Sequence, residues 1–160
     1  MNHETELSDH TPFPLVAREL RRSIDAAMPK LRAITASQAV QPLATGKWSP
    51  KQLIGHLIDS AANNHQRFVR AQQSAALAFP EYVQDKWVQL QHYDDRAWDD
   101  LTGLWHAYNH HLAHVIEHIA EDLRSIVCTI GHSEPVTLGF LAQDYVVHLR
   151  HHLLQLRIRA

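Results

Sequence analysis

Apolar positions recur every three to four residues along four long stretches of this chain, the period of helices that each bury one face. The first stretch predicts a helix from Pro14 to Ala36, with Pro29 placed to kink or interrupt it because proline removes a backbone donor. A loop through Pro42, Gly46 and Trp48 follows. Ser49-Pro-Lys-Gln52 then reads as a helix start, with Ser49 as N-cap, Pro50 at the first helical position and Gln52 closing a capping box. That second helix is expected to reach Ala78, where Phe79-Pro80 stops it. A short helix or irregular linker is expected over residues 81–90, and a third long helix over 95–122. The stretch 123–136, with Gly131 and Pro135, reads as a long connection, and Thr137 can cap a fourth helix running to Ile158. Residues 1–11 read as a loose tail. The expected fold is therefore all-α: a single domain over residues 1–160, built as a four-helix bundle with long crossover connections.

Helical phase sorts the fourteen histidines by face. In the fourth helix Leu138, Leu141, Tyr145, Leu149, Leu153 and Leu156 form an apolar stripe; His152 falls within it, His148 at its edge, and His151 points away. Four residues of helix set His148 and His152 about 40° apart around the axis and roughly 6 Å apart along it, so both rings can reach one metal ion. The same spacing also arises by chance in a histidine-rich chain. On the second helix His56 shares a polar row with Ser60, Asn63 and Arg67, which is either the helix's solvated face or the border of a cleft. His65 falls on the apolar face, as a core or interface histidine does. On the third helix Leu101, Leu104, Trp105, Tyr108, Leu112, Val115, Ile116 and Ile119 define the core stripe. His106, His110 and His114 lie off that stripe, and His111 and His118 reach only its margin. This cluster reads as an exposed or intersubunit face, at most an incidental trap for nickel or zinc.

Length and composition fit one soluble globular domain with a single core. A net charge of −2 without a basic stripe gives no reason to expect nucleic acid. No apolar run approaches a membrane span, and the polar, acidic start is unlike a signal peptide. Cys128 is the sole cysteine, which excludes an internal disulfide and points to a reducing, cytoplasmic setting; its plainest role is a small apolar filler. Trp87 and Trp98, beside the histidine-rich face, are more aromatic surface than a monomer needs and suggest a homodimer. No phosphate loop, nucleophile elbow or activated cysteine is present.

Two segments, Lys47-Trp-Ser-Pro-Lys-Gln-Leu-Ile-Gly-His-Leu-Ile-Asp59 and Asp144-Tyr-Val-Val-His-Leu-Arg-His-His-Leu-Leu-Gln-Leu156, together resemble the DinB/YfiT-like superfamily. That family joins a Trp-Ser cap and a Gly-His-Leu on one helix to a His-x-x-x-His on the last. The resemblance spans nearly the whole chain and implies a four-helix bundle, commonly dimeric, holding one divalent metal. The matching positions here are His56, His148 and His152. Three imidazoles leave a metal position open, where water or a thiol is activated as nucleophile. Zinc or nickel suits such a site best, and iron or manganese is compatible. The implied activities are metal-dependent hydrolysis, or transfer to or from a small-molecule thiol such as bacillithiol or mycothiol; the alternative is a non-catalytic, dimerising metal-binding module. Asp59 and Asp144, one turn from His56 and His148, are candidates to orient the ligating rings or, equally, plain solvated acids. Below about pH 6 the ligand histidines would compete for protons with the metal, so metal occupancy and activity are expected to fall together.

Overall fold

The computed structural model describes residues 7–156. Its helices are α1 (Phe13–Ala33), α2 (Ala36–Ala39), α3 (Pro50–Ala71), α4 (Gln84–Leu90), α5 (Trp98–Glu117) and α6 (Leu138–Gln155). The long ones, α1, α3, α5 and α6, form the bundle. Helices α1 and α3 each pack on both α5 and α6, so the α1/α5 edge lies opposite the α3/α6 edge. Phe13, Leu20, Ile24, Leu53, Leu57, Phe68, Leu101, Trp105, Leu112, Ile116 and Leu149 meet in the shared core.

Helix starts follow the local chemistry. Ser49 Oγ accepts from Gln52 N at 3.2 Å and Gln52 Oε1 accepts from Ser49 N at 3.0 Å, the expected capping box. Thr137 Oγ1 accepts from Phe140 N at 3.0 Å and caps α6. Pro29 lies inside α1 without ending it, and the helix continues to Ala33.

The third and second long helices are shorter than their apolar patterns suggest. α3 stops at Ala71, because Ala76–Phe79 is a strand, β1. A residue before proline disfavours the helical region, so Phe79 is held extended, and its carbonyl accepts from Gly131 N at 2.8 Å. Strands β2 (Val127–Ile130) and β3 (Val136–Thr137) occupy the expected irregular connection. β1 runs parallel to β2 and β2 antiparallel to β3. Cys128, paired in register with Leu77, is fully buried there as an apolar filler. α5 starts at Trp98 rather than Asp95, since residues 93–95 form a 3-10 turn, and it ends at Glu117.

Trp98 is buried, not a surface aromatic: its indole Nε1 donates to Leu31 O at 2.9 Å. Leu104, assigned to the core stripe, is exposed. The start of the described chain is not loose. Leu7 packs on the core, and Asp9 O accepts from Arg124 Nη1 at 3.0 Å. Residues 1–6 and Ile158, the expected end of α6, lie outside the described residues.

Candidate metal centre

Helix α3 faces α6, and His56 meets the inward pair of α6 across that edge. His56 Nε2 lies 3.3 Å from His148 Nε2, and His148 Nε2 lies 3.1 Å from His152 Nε2. Three nitrogens bound tetrahedrally to one ion at about 2.05 Å sit about 3.3 Å apart, so the observed spacing is that of a shared ion. Each ring turns Nε2 inward to the common point, while all three Nδ1 atoms are buried without a hydrogen-bond partner among the described residues. Rings packed this way without a cation between them would crowd lone pairs, so the donor set fits a divalent metal.

The polar row on α3 is not a solvated face. His56 is fully buried, Ser60 and Asn63 nearly so, and the row points between the helices. His151 is exposed and turned from the cluster, as phase requires. Trp48, part of the motif but with no role evident from sequence, closes the site from above. Its ring lies 4.8 Å from His56 and stacks 6.5 Å from His152, centroid to centroid. The capping box fixes where Trp48 leaves the helix, so a local backbone signal positions the aromatic cover.

Neither acid orients a ligating ring. Asp59 Oδ1 accepts from Tyr93 Oη at 2.6 Å and from Gln91 Nε2, which anchors the segment after α4 onto α3. Burial pushes the Asp59 carboxyl up, against the lowering pull of Tyr93 and Gln91. Asp144 stands near Arg67 in a polar cavity, and its carboxyl too is raised by burial. Among the described residues no carboxylate bonds the Nδ1 of His56 or His148: Asp59 is held through Oδ1 by Tyr93 and Gln91, and Asp144 only lies near Arg67.

Burial, then the neighbouring imidazoles, pushes His56 down to about 3 and His152 down to about 4. His148 is lowered by burial and then by His151. All three rings are thus held neutral, the state a metal requires. The sign for stability follows from linkage: the native rings refuse protons that the unfolded chain accepts below about pH 6.5. Metal-free protein should therefore lose stability steadily as pH falls from about 6.5 to 5, with up to one proton per ring in the slope. Urea midpoints measured in chelator across that range check this, and a flat profile would show that the rings titrate normally.

Five other histidines of α3 and α5 fall in three settings. His65 Nδ1 lies 3.0 Å from Tyr108 Oη, a satisfied interface histidine. His114 and His118 lie with ring centroids 4.3 Å apart, tilted to each other, on the exposed side of α5. His106 and His110 turn toward α1 and Asp25, a neighbour that sequence phase did not single out.

A helical bundle with three converging imidazoles on its α3/α6 edge defines the class: a four-helix protein with a candidate His₃ centre. The DinB superfamily profile matches residues 19–156, and the chain belongs to that superfamily. The fold also matches YfiT from Bacillus subtilis, described as a probable metal-dependent hydrolase with an unusual four-helix bundle topology. That match has a TM-score of 0.83 at 18% identity and covers 98% of this chain and 89% of YfiT. No curated protein matches the chain. Among the described residues no helix is long and apolar enough to cross a membrane.

Proposed function

We propose that this protein is a metal-dependent hydrolase acting in the cytoplasm, with one divalent ion, zinc or nickel in preference to iron or manganese, held by His56, His148 and His152. The convergence of their three Nε2 atoms is the observation that carries the reading. YfiT, of the same fold, supports hydrolysis as the reaction. Bound there, the ion would supply Lewis-acid activation of a water or thiol at a position the protein leaves free.

The protein's own residues hold, cover and exclude. The three neutral rings bind without giving up a proton first. Trp48 shields one side of the cluster from bulk water. Beside His148, a polar cavity of about 270 Å³ lined by Ser60, Asn64, Arg67, Tyr82 and Asp144 offers room for a small molecule. No side chain competes as nucleophile: Cys128 is buried in β2, and burial pushes its thiol up, away from the reactive thiolate.

One observation favours a thiol-transfer reading as the second choice. A second cavity of about 530 Å³, a separate lobe, lies beside His152, lined by Leu43, Lys47, Trp48 and Gln84, and Gln84 lines both cavities. Two lobes flanking one metal position suit two reactants, such as a small-molecule thiol and its acceptor. Homodimerisation belongs to the same proposal. Its surface support now rests on Trp87 with exposed Val83 and Leu90, since Trp98 is buried.

Ester and amide substrates, screened alone and with low-molecular-weight thiols, test the reaction. Turnover should vanish with chelator, return with added zinc or nickel, and survive Cys128→Ser. Full turnover by metal-free protein would move the chemistry to another site. Absence of turnover across the panel, with metal bound, would leave the non-catalytic binding module.

A further inference from the structure

We propose a second divalent-cation site, formed by Asp25 on α1 with His106 and His110 on α5 and open to solvent on the edge of the bundle opposite the His₃ centre. His106 and His110 are one helical turn apart, with ring centroids 4.5 Å from each other. Both aim Nε2 at one carboxylate oxygen: His110 Nε2 lies 2.9 Å from Asp25 Oδ1, and His106 Nε2 lies 3.6 Å from it. The three ligand atoms lie within 4.8 Å of one another, and ligands sharing one tetrahedral ion sit about 3.3 Å apart, so small rotations bring them to coordination distance.

The carboxylate is what separates this cluster from a merely histidine-rich surface. Among the described residues Asp25 has no lysine or arginine partner; its close polar neighbours are these two rings. With the proton on Nε2 a ring donates to Asp25; with the proton on Nδ1 both Nε2 lone pairs and the carboxylate face one point, a donor set that a divalent cation can bridge. The neighbouring cluster of His114, Glu117 and His118 also has converging ligand atoms, but its carboxylate is taken: Arg21 Nη2 donates to Glu117 Oε2 at 2.6 Å. His118 Nδ1 is likewise engaged, 2.8 Å from His114 O. A cation there must displace a guanidinium; at Asp25 it displaces nothing but water and a hydrogen bond.

Two imidazoles and one carboxylate select borderline cations such as zinc, nickel and copper over magnesium or calcium, which prefer all-oxygen sets. The ligands are half-exposed, with side-chain accessibilities of 38% for His106, 33% for His110 and 61% for Asp25, so water completes the coordination and exchange with solvent is open. Because α1 and α5 contribute to it jointly, an ion there ties two packed helices, and it stabilises the native state by mass action.

The test is zinc titration calorimetry on full-length, tag-free, chelator-stripped protein carrying His148→Ala and His152→Ala, which empties the first centre. One equivalent of zinc should still bind and raise the melting temperature. Adding His106→Ala and His110→Ala should abolish both effects, Asp25→Asn should weaken binding at least tenfold, and His114→Ala with His118→Ala should leave it intact. No zinc uptake by the folded background variant would overturn the site, as would uptake that survives loss of His106 and His110. If the background variant fails to fold, wild type is compared with His106→Ala/His110→Ala alone. The expected drop is then one equivalent, whatever the first centre binds, and an unchanged stoichiometry overturns the site.

Discussion

Alanine at His152 is expected to lower divalent-metal affinity at the α3/α6 edge by more than about 100-fold, while alanine at the adjacent His151 leaves it nearly unchanged. Losing even an outer-shell partner of a metal ligand costs about 10- to 100-fold, so losing a ligand should exceed that range. The contrast rests on one residue of helical rotation. His152 turns Nε2 to within 3.1 Å of His148 Nε2, whereas His151 is exposed. His152 also supports the Trp48 ring, so its removal loosens the cover as well as the ligand set. Competition against a chromophoric chelator, in a His106→Ala/His110→Ala background that counts only this centre, reads the difference. Equal losses from the two changes would mean that the ligand is the wrong histidine.

Alanine at Gly55 should destabilise the protein by about 2 kcal/mol, although the position is mid-helix and alanine is the better helix former. A Cβ at Gly55 would lie 2.1 Å from Tyr93 Cδ2, with Cγ and Cε2 at 2.4 and 2.5 Å. The Tyr93 ring cannot swing aside freely, because it is buried and its hydroxyl is held by Asp59. Overpacking of this kind costs about 3 kcal/mol, of which helix propensity returns about 1. For a domain of this size the melting temperature should fall by about 4–8 °C. An unchanged melting temperature would show that the ring moves cheaply. The glycine of the Gly-His-Leu motif is thereby explained: it lets Tyr93 lie against α3, one residue before His56.

How much of this the sequence carried depends on whether the signal is local. The Ser49–Gln52 capping box, the Thr137 cap, the existence of four long helices and the inward phase of His148 and His152 are all set by residues within one or two turns of each other, and the structure has them. His56 was legible only through the family resemblance, since Ser60, Asn63 and Arg67 make the same row whether it meets water or a neighbouring helix. The sheet was missed because Ala76-Leu-Ala-Phe79 continues a helical composition, and its partner β2 lies in a distant connection. Asp59 and Asp144 lie one turn from the candidate ligands, but Asp59 is held by Tyr93 and Gln91 from another part of the chain, and Asp144 lies near Arg67 of α3. Trp98 and Asp25 follow the same rule. Trp98 looked like surface and Asp25 carried no signal in its own helix, and each has its neighbour across the α1/α5 contact, Leu31 for one and the His106–His110 pair for the other.

Anomalous diffraction from zinc-loaded crystals tests the central claim most directly. The expected result is a peak on the α3/α6 edge about 2.0–2.1 Å from the Nε2 atoms of His56, His148 and His152 together. Zinc absent from that point, or bound there with His56 left uncoordinated, would contradict it.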